Sequence, residues 1–593
     1  MFKFLARCFA VIGFLAVAVC VTGAVVAWYT QKQQQTEPAK VVLSLDFDSP
    51  IVEQGDGSPL DLALDESSPV ALLDIVRAID AAKDDPHVVG IVARFGSEQP
   101  SLIQAQEIRA ALARFKKSGK FTYAYGTSFG DFGSGDRAYY LASAFDNIWL
   151  QPVGTVSLTG VGLTDFFGKT ALDKAGITAD FMRREEYKEF MEDAQRDAFD
   201  PAVKVEMQGL VDNLSGQIAA GIADSRKWDA ARVANLMAQG PYTADEAQQN
   251  GLVTRVAYAD QLDDEIDRLA GKDAQQVDVD TYLGYADDGT GGGAQTEVAL
   301  IYGLGLIADK DVGDGGIAGG HVMGADDIAG AFDDAASDAN VKAILFRIDS
   351  PGGSPSASET IRRAMIHAEK QGKPVIVSMG GTAASGGYWI AMNGDKIIAD
   401  PGTLTGSIGV VSGKFALDGL LQKIGVTPDG VRTADNAGMW QMDAPFNPAQ
   451  RARINALLDE TYRAFTDNVA AARKIPLDKM PDIAKGRVWT GEQALPLGLV
   501  DQLGGYDVAL EDVRQALKLG ENDVIDLEPF PAAPTPAERL LKLLHHFGAA
   551  SSALSSLADT LDDIQAVARP WLGLAALSRH PVAAQMILGD THE

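Results

Sequence analysis

The chain has 593 residues, 46% of them hydrophobic and 22% charged, with a formal net charge of −30. That length is too great for one hydrophobic core, and so negative a surface excludes nucleic acid, or an anionic membrane surface, as a partner held by charge. The only cysteines, Cys8 and Cys20, fall in the first apolar segment, so the body holds no disulfide framework, thiol nucleophile or cysteine-ligated zinc, and it is expected to work without metal or cofactor.

In chain order, Cys8 to Tyr29 comes first: uncharged, mostly apolar and long enough to span a bilayer as a helix. Lys3 and Arg7 precede it, and Trp28 and Tyr29 stand where an interfacial belt would form. No A-x-A-like cleavage site is clear, so an uncleaved anchor is expected, with the N-terminus in the cytoplasm and the body outside. A polar linker follows, and anchor and linker together take residues 1–40.

From Val41 the body repeats itself. A-I-D-A-A-K-D-D-P-H-V-V-G-I-V-A-R (Ala78–Arg94) returns as A-F-D-D-A-A-S-D-A-N-V-K-A-I-L-F-R (Ala331–Arg347), each reading as helix, polar turn and buried strand. Ala105–Lys120 matches Ala357–Lys373, both helices closing at a glycine behind basic last turns. Tyr140–Pro152 then matches Trp389–Pro401, K-A-G-I-T-A-D (Lys174–Asp180) matches K-I-G-V-T-P-D (Lys423–Asp429), and Tyr242–Val253 matches Trp489–Val500. Five ordered matches at a nearly constant offset predict two copies of one α/β domain, 41–293 and 294–528. The glycine-rich stretch Gly284–Gly293 is expected to be a flexible linker. Residues 529–593 read as a proline-rich spacer and a helical tail whose apolar faces pack on the body or on a neighbouring subunit.

Two glycine-rich stretches of the second copy carry the chemistry. G-G-T-A-A-S-G-G-Y-W (Gly380–Trp389) follows the strand-like run Pro374–Met379 and precedes a helix, which presents Ser385 as a nucleophile would be presented. R-I-D-S-P-G-G-S (Arg347–Ser354) offers the N–H groups of Gly352 and Gly353 to an oxyanion. Setting Tyr140 against Trp389 puts Asp136 opposite Ser385, and the first copy has R-F-G-S-E-Q-P-S in place of the P-G-G loop. Loss of both features from one copy favours a joint role in the other. A serine nucleophile needs a base. Of the seven histidines only His321, in a glycine-rich loop, suits a Ser-His-Asp triad, and a Ser-Lys pair stays open beside it.

The ordered motifs D-S-P-G-G-S, S-M-G-G-T-A-A-S-G-G-Y-W and D-P-G-T-L-T-G-S-I-G-V (Asp400–Val410) resemble those of signal peptide peptidase A, in its long, duplicated, membrane-anchored form. The resemblance covers about Val41 to Leu527. It implies two tandem crotonase/Clp-protease-like domains of repeated β-β-α units, and a membrane-bound Ser-Lys peptidase that degrades remnant signal peptides. It further implies a homo-oligomer, a tetramer, set on the outer face of the cytoplasmic membrane. Residue by residue, Ser385 resembles the nucleophile, and Gly352, Gly353 and Gly386 the oxyanion site. Ser407 resembles the serine that orients the base. Lys188, in the Y-K dipeptide of the first copy, resembles the base itself, and its counterpart in the second copy is Ala437. Glu185, Glu186, Glu189 and Glu192 surround Lys188 in sequence, so it must be buried to lose its proton. The competing readings are a catalytically silent scaffold of the same fold and a crotonase-type acyl-CoA enzyme, the latter disfavoured by the anchor.

Overall fold

The repeat matched by Ala78–Arg94 and Ala331–Arg347 folds twice in the same way. In the computed structural model, helix Leu72–Asp84 leads into strand Val88–Phe95, and helix Ala325–Ser337 leads into strand Ala343–Ser350. The structure describes residues 38–55, 69–131, 133–287, 295–310, 321–520 and 523–531. The expected anchor and most of the expected tail lie outside the described residues. Among those described, no helix is long and apolar enough to cross a membrane.

Each copy builds a mainly parallel sheet. The first runs Arg255–Val256, Asn147–Leu150, Phe121–Gly126, Val88–Phe95, Val41–Asp46, Gln275–Val277, all parallel. The second repeats that order with Gln502–Leu503, Lys396–Ala399, Val375–Ala384, Ala343–Ser350, Gln295–Leu304 and Val524–Phe530. Leu404–Gly406 adds to the far end of Val375–Ala384 and pairs antiparallel with Val488–Thr490. Helices between strands are what parallel connections require.

Both faces of the second sheet are dry, and the alternation along Gln295–Leu304 shows why. Val298 and Leu300 join the core of the first copy, whereas Ala299 and Ile301 join the second copy's own core. The two copies therefore share apolar surface and do not hang on a tether.

Three boundaries differ from the sequence reading. Gly284–Asp287 is helical, the end of Val279–Asp287, because Tyr282 anchors that helix in the core. Pro529 and Phe530 belong to an edge strand, where a missing N–H costs no ladder bond. The strand before Ser385 runs on through G-G-T-A-A to Ala384, because Ala383 pairs with Ser350 and Thr382–Ala384 pair with Leu404–Gly406.

Candidate active site

Strand Val375–Ala384 ends directly at Ser385, and helix Gly386–Ala391 begins directly after it. No loop residue intervenes, so Ser385 must turn the chain by itself. It does so at φ 56° and ψ −117°, a strained conformation for a residue with a side chain. Two backbone bonds hold it there: Ser385 N–H donates to Gly406 O (2.9 Å), and Trp389 N–H donates to Ser385 O (2.9 Å). The hydroxyl thus stands at the strand's end with its rotamer free to meet a partner.

The P-G-G loop closes on this turn. Gly352 has φ +110°, and a Cβ there would lie 2.6 Å from Gly386 N and 2.8 Å from Ser385 Cβ. A Cβ on Gly386 would lie 2.9 Å from Gly353 N. Gly352, Gly353 and Gly386 therefore converge beside Ser385 because none has a side chain. Their donors are not equivalent. Gly352 N–H donates to Ser350 Oγ (3.2 Å), whose hydroxyl donates to Gly305 O (2.6 Å), so Gly352 lends shape, and not a free donor as the sequence reading expected. Gly353 uses only its neighbours in bridging Ile307, through Gly352 O and Ser354 N–H. Gly386 opens its helix, where an N–H has no intrahelical acceptor.

The amine comes from the first copy. Strand Thr178–Arg183 leaves its own domain and pairs antiparallel with Val411–Ala416 of the second copy. Five residues later Lys188 enters a slot where it is 6% exposed. Its Nζ lies 2.9 Å from Ser385 Oγ, 2.9 Å from Ser407 Oγ and 3.1 Å from Ser407 O. Ser407 is itself fixed, at φ 48°, by its N–H donating to Arg487 O (2.6 Å). A neutral amine has two N–H donors and one lone pair. In the neutral form, two N–H groups donated to Ser407 Oγ and O would leave the lone pair for the Ser385 hydroxyl.

Burial is what frees that lone pair. It lowers the Lys188 pKa to about 7, disfavouring the ammonium by roughly 5 kcal/mol. Nearby carboxylates do not undo this, because burial also pushes Glu189 up to about 8 and Glu206 up to about 7. Glu186 is engaged elsewhere, with Lys485 (3.2 Å).

Sequence reasoning missed the walls of the slot. A Cβ on Gly409 would lie 3.2 Å from Lys188 Cδ; on Gly486, at φ +85°, it would lie 2.4 Å from Lys188 N. Gly486 belongs to A-K-G-R-V-W-T (Ala484–Thr490), one residue longer than A-Q-G-P-Y-T (Ala238–Thr243) in the first copy. That insertion was the available signal. Gly486→Ala is expected to keep a cooperative melt and to lose at least about tenfold in kcat, because a small displacement of a reacting group is costly. Kinetics normalised to folded protein check this; wild-type kcat would show that the slot tolerates a side chain.

His321 lies at the start of the short ladder of Leu306–Ala308 with Val322–Gly324, and its carbonyl accepts from Leu306 N–H (3.0 Å). The side chain that meets Ser385 Oγ is Lys188. In the first copy the backbone place of the nucleophile is taken by Gly135, whose N–H donates to Ser157 O (2.8 Å) and whose O accepts from Tyr139 N–H (2.9 Å). Asp136, set opposite Ser385 by the repeat, opens the helix behind it and is spent on structure. It accepts from Gly160 N (2.8 Å), Ser134 Oγ (2.7 Å) and Thr159 N (3.3 Å).

The model of peptidase family S49 matches residues 114–273 and 367–520, one match in each copy. The chain is 35% identical to Protease 4 of Salmonella typhi over 466 residues, 76% of this chain and 72% of that one. It is 32% identical to Protease 4 of Haemophilus influenzae over 473 residues, 77% of this chain and 74% of that one. It is 34% identical to a putative signal peptide peptidase SppA of Enterococcus faecium over 189 residues, 32% of this chain and 55% of that one. Two family matches and likeness along most of two relatives, on a chain carrying a strained serine beside a buried amine, make this protein a serine protease of peptidase family S49.

Proposed function

We propose that Ser385 and Lys188 form the catalytic dyad of this protease, that its substrates are remnant signal peptides, and that it works as a membrane-anchored homo-oligomer on the outer side of the cytoplasmic membrane. One observation carries the dyad: a buried amine, its Nζ 2.9 Å from Ser407 Oγ and 3.1 Å from Ser407 O, lies 2.9 Å from the Ser385 hydroxyl. The Ser385 hydroxyl gives its proton to Nζ as Oγ bonds to the substrate carbonyl carbon. The N–H groups of Gly353 and Gly386 receive the oxyanion. Collapse breaks the C–N bond, and the Lys188 ammonium returns the proton to the leaving amine. A water molecule, deprotonated by Lys188, then hydrolyses the ester and restores Ser385.

The substrate class rests on the Enterococcus relative's name and on the uncharged run Cys8–Tyr29, which would keep the site where spent signal peptides lie. A homo-oligomer suits the exposed apolar residues of the second copy, Ile424, Val431, Trp440 and Met442, and Phe166 of the first. The test uses the full chain in membranes. Protease added to spheroplasts should digest the body, and the detergent-extracted enzyme should cut a synthetic signal peptide while leaving a folded protein intact. A protected body would reverse the topology, and equal cleavage of both substrates would remove the signal-peptide reading.

A further inference from the structure

Away from the reacting atoms, Arg347 is a fully buried guanidinium, 0% exposed on strand Ala343–Ser350 just before the P-G-G loop. Its partners belong largely to the other copy. Nε donates to Glu53 Oε2 (2.8 Å), and Nη2 to Glu53 Oε1 (3.1 Å) and Glu107 Oε1 (2.7 Å). Nη1 donates to Ser378 Oγ (2.8 Å) on the nucleophile strand. The guanidinium lies over the Tyr506 ring at 4.3 Å, and Glu107 accepts from Tyr506 N–H (2.7 Å).

This knot reaches every catalytic segment of the second copy. Asp349, two residues along the strand from Arg347 and so on its face, accepts from Thr382 N–H (2.9 Å) just before Ser385. Gln106, beside Glu107 on the first copy's helix, accepts from Gly402 N–H (3.0 Å), and Gln217 of the first copy donates to Pro401 O (2.9 Å). Gly402 and Pro401 lie in the loop that runs through Leu404–Gly406 to Ser407. The copy that supplies the lysine thus grips the oxyanion strand, the nucleophile strand and the Ser407 loop together.

The repeat makes the arrangement stand out. Arg94 fills the same place in the first copy and pairs with Asp263 of its own copy (2.6 Å), with its side chain 33% exposed. Arg347 has turned its charge across the boundary instead. Stability alone does not explain the change, since a buried ion pair is often matched by apolar residues of the same volume. A buried polar group can instead fix the register of the elements it joins. The cluster is also rich in acid. Asp400 is buried and Asp349 half-buried beside Glu107 and Glu53; desolvation lifts Asp349 to about 7 and Asp400 well above the usual carboxylate range. Taking away the one guanidinium leaves these carboxyls facing one another.

We propose that Arg347, gripped by Glu53 and Glu107, is a positioning group that sets the register of the lysine-bearing copy on the serine-bearing copy. It touches no substrate. It acts through the distance from Lys188 to Ser385, and so rests on the dyad proposed above.

The test is made in the full chain with Glu107→Gln, Glu53→Gln and Arg347→Lys, each near in shape to the residue it replaces. Kinetics on a chromogenic peptide are normalised to folded protein. Glu107→Gln and Arg347→Lys should lower kcat by about 10- to 100-fold, as a misplaced reacting group does, while KM stays within about twofold. The acid limb of kcat/KM should move up from about 7, where the buried lysine titrates. Glu53→Gln, with the side chain at an 11%-exposed rim, should show a smaller shift in the same direction, and it decides the matter if the other two do not fold. Folded variants with wild-type kcat and an unmoved acid limb would overturn the proposal, even where their melting temperatures fall. If Ser385→Ala or Lys188→Ala were itself active, the dyad would fail instead.

Discussion

Ser385→Ala should abolish peptide hydrolysis and leave the melting temperature unchanged. The expected loss is on the order of 10⁵- to 10⁶-fold, the scale on which a covalent catalytic unit is lost. The fold should not notice. Alanine carries the same Cβ and hence the same strain at φ 56°, and the bonds that hold the turn are backbone bonds to Gly406 and Trp389. A fluorophosphonate probe should label the wild-type chain at Ser385 and fail to label the variant. Substantial hydrolysis by a purified variant, or labelling at another serine, would place the nucleophile elsewhere. Failure of the probe on the wild type would favour a silent scaffold of the same fold.

Serine and lysine were not equally legible in the chain. Ser385 stands out locally, because glycines on both sides and a strand before it leave few other uses for a hydroxyl. The P-G-G loop stands out by comparison, since the first copy lost it together with the serine. Lys188 has no such signature. It sits among carboxylates in a segment that reads as solvated, and 197 residues separate it from the serine it meets. Only resemblance to a family pointed to it. What makes it a base is tertiary: strand Thr178–Arg183 crossing to Val411–Ala416, and the absence of side chains at Gly409 and Gly486. The use of the Gly352 N–H by Ser350 was equally hidden, for a glycine pair does not say which of its amides is free. That the two sheets share one strand order was recoverable from the repeat. The apolar contact between copies was not, because continuous hydrophobic strands do not say what covers each face.

The decisive result concerns the base. Lys188→Ala should lose nearly as much activity as Ser385→Ala, and the double variant should be little worse than either, because members of one catalytic unit are not additive. Lys188→Arg should be equally inactive, since guanidinium stays charged at any working pH. His321→Ala should keep most activity. In the wild type kcat/KM should climb through about 7 and level off above it, because the amine must be neutral before it can take the serine proton.

Stability should also rise with pH, but over a higher window. The folded lysine releases its proton near 7, the unfolded one near about 10.4. Below about 7 both states hold the proton and the cost of burying it is complete. Between the two values the unfolded chain binds the extra proton, so the contribution of Lys188 to stability improves as pH rises, and above about 10.4 the penalty is gone. Lys188→Met keeps much of the volume and carries no charge. It should therefore melt higher than wild type at pH 7 while being inactive, and the gain should shrink at higher pH. An active Lys188→Ala beside a dead His321→Ala would replace the Ser-Lys pair with a histidine site. An inactive Lys188→Met that melts lower at every pH would show that the slot does not strain the charge, and that the amine is held protonated.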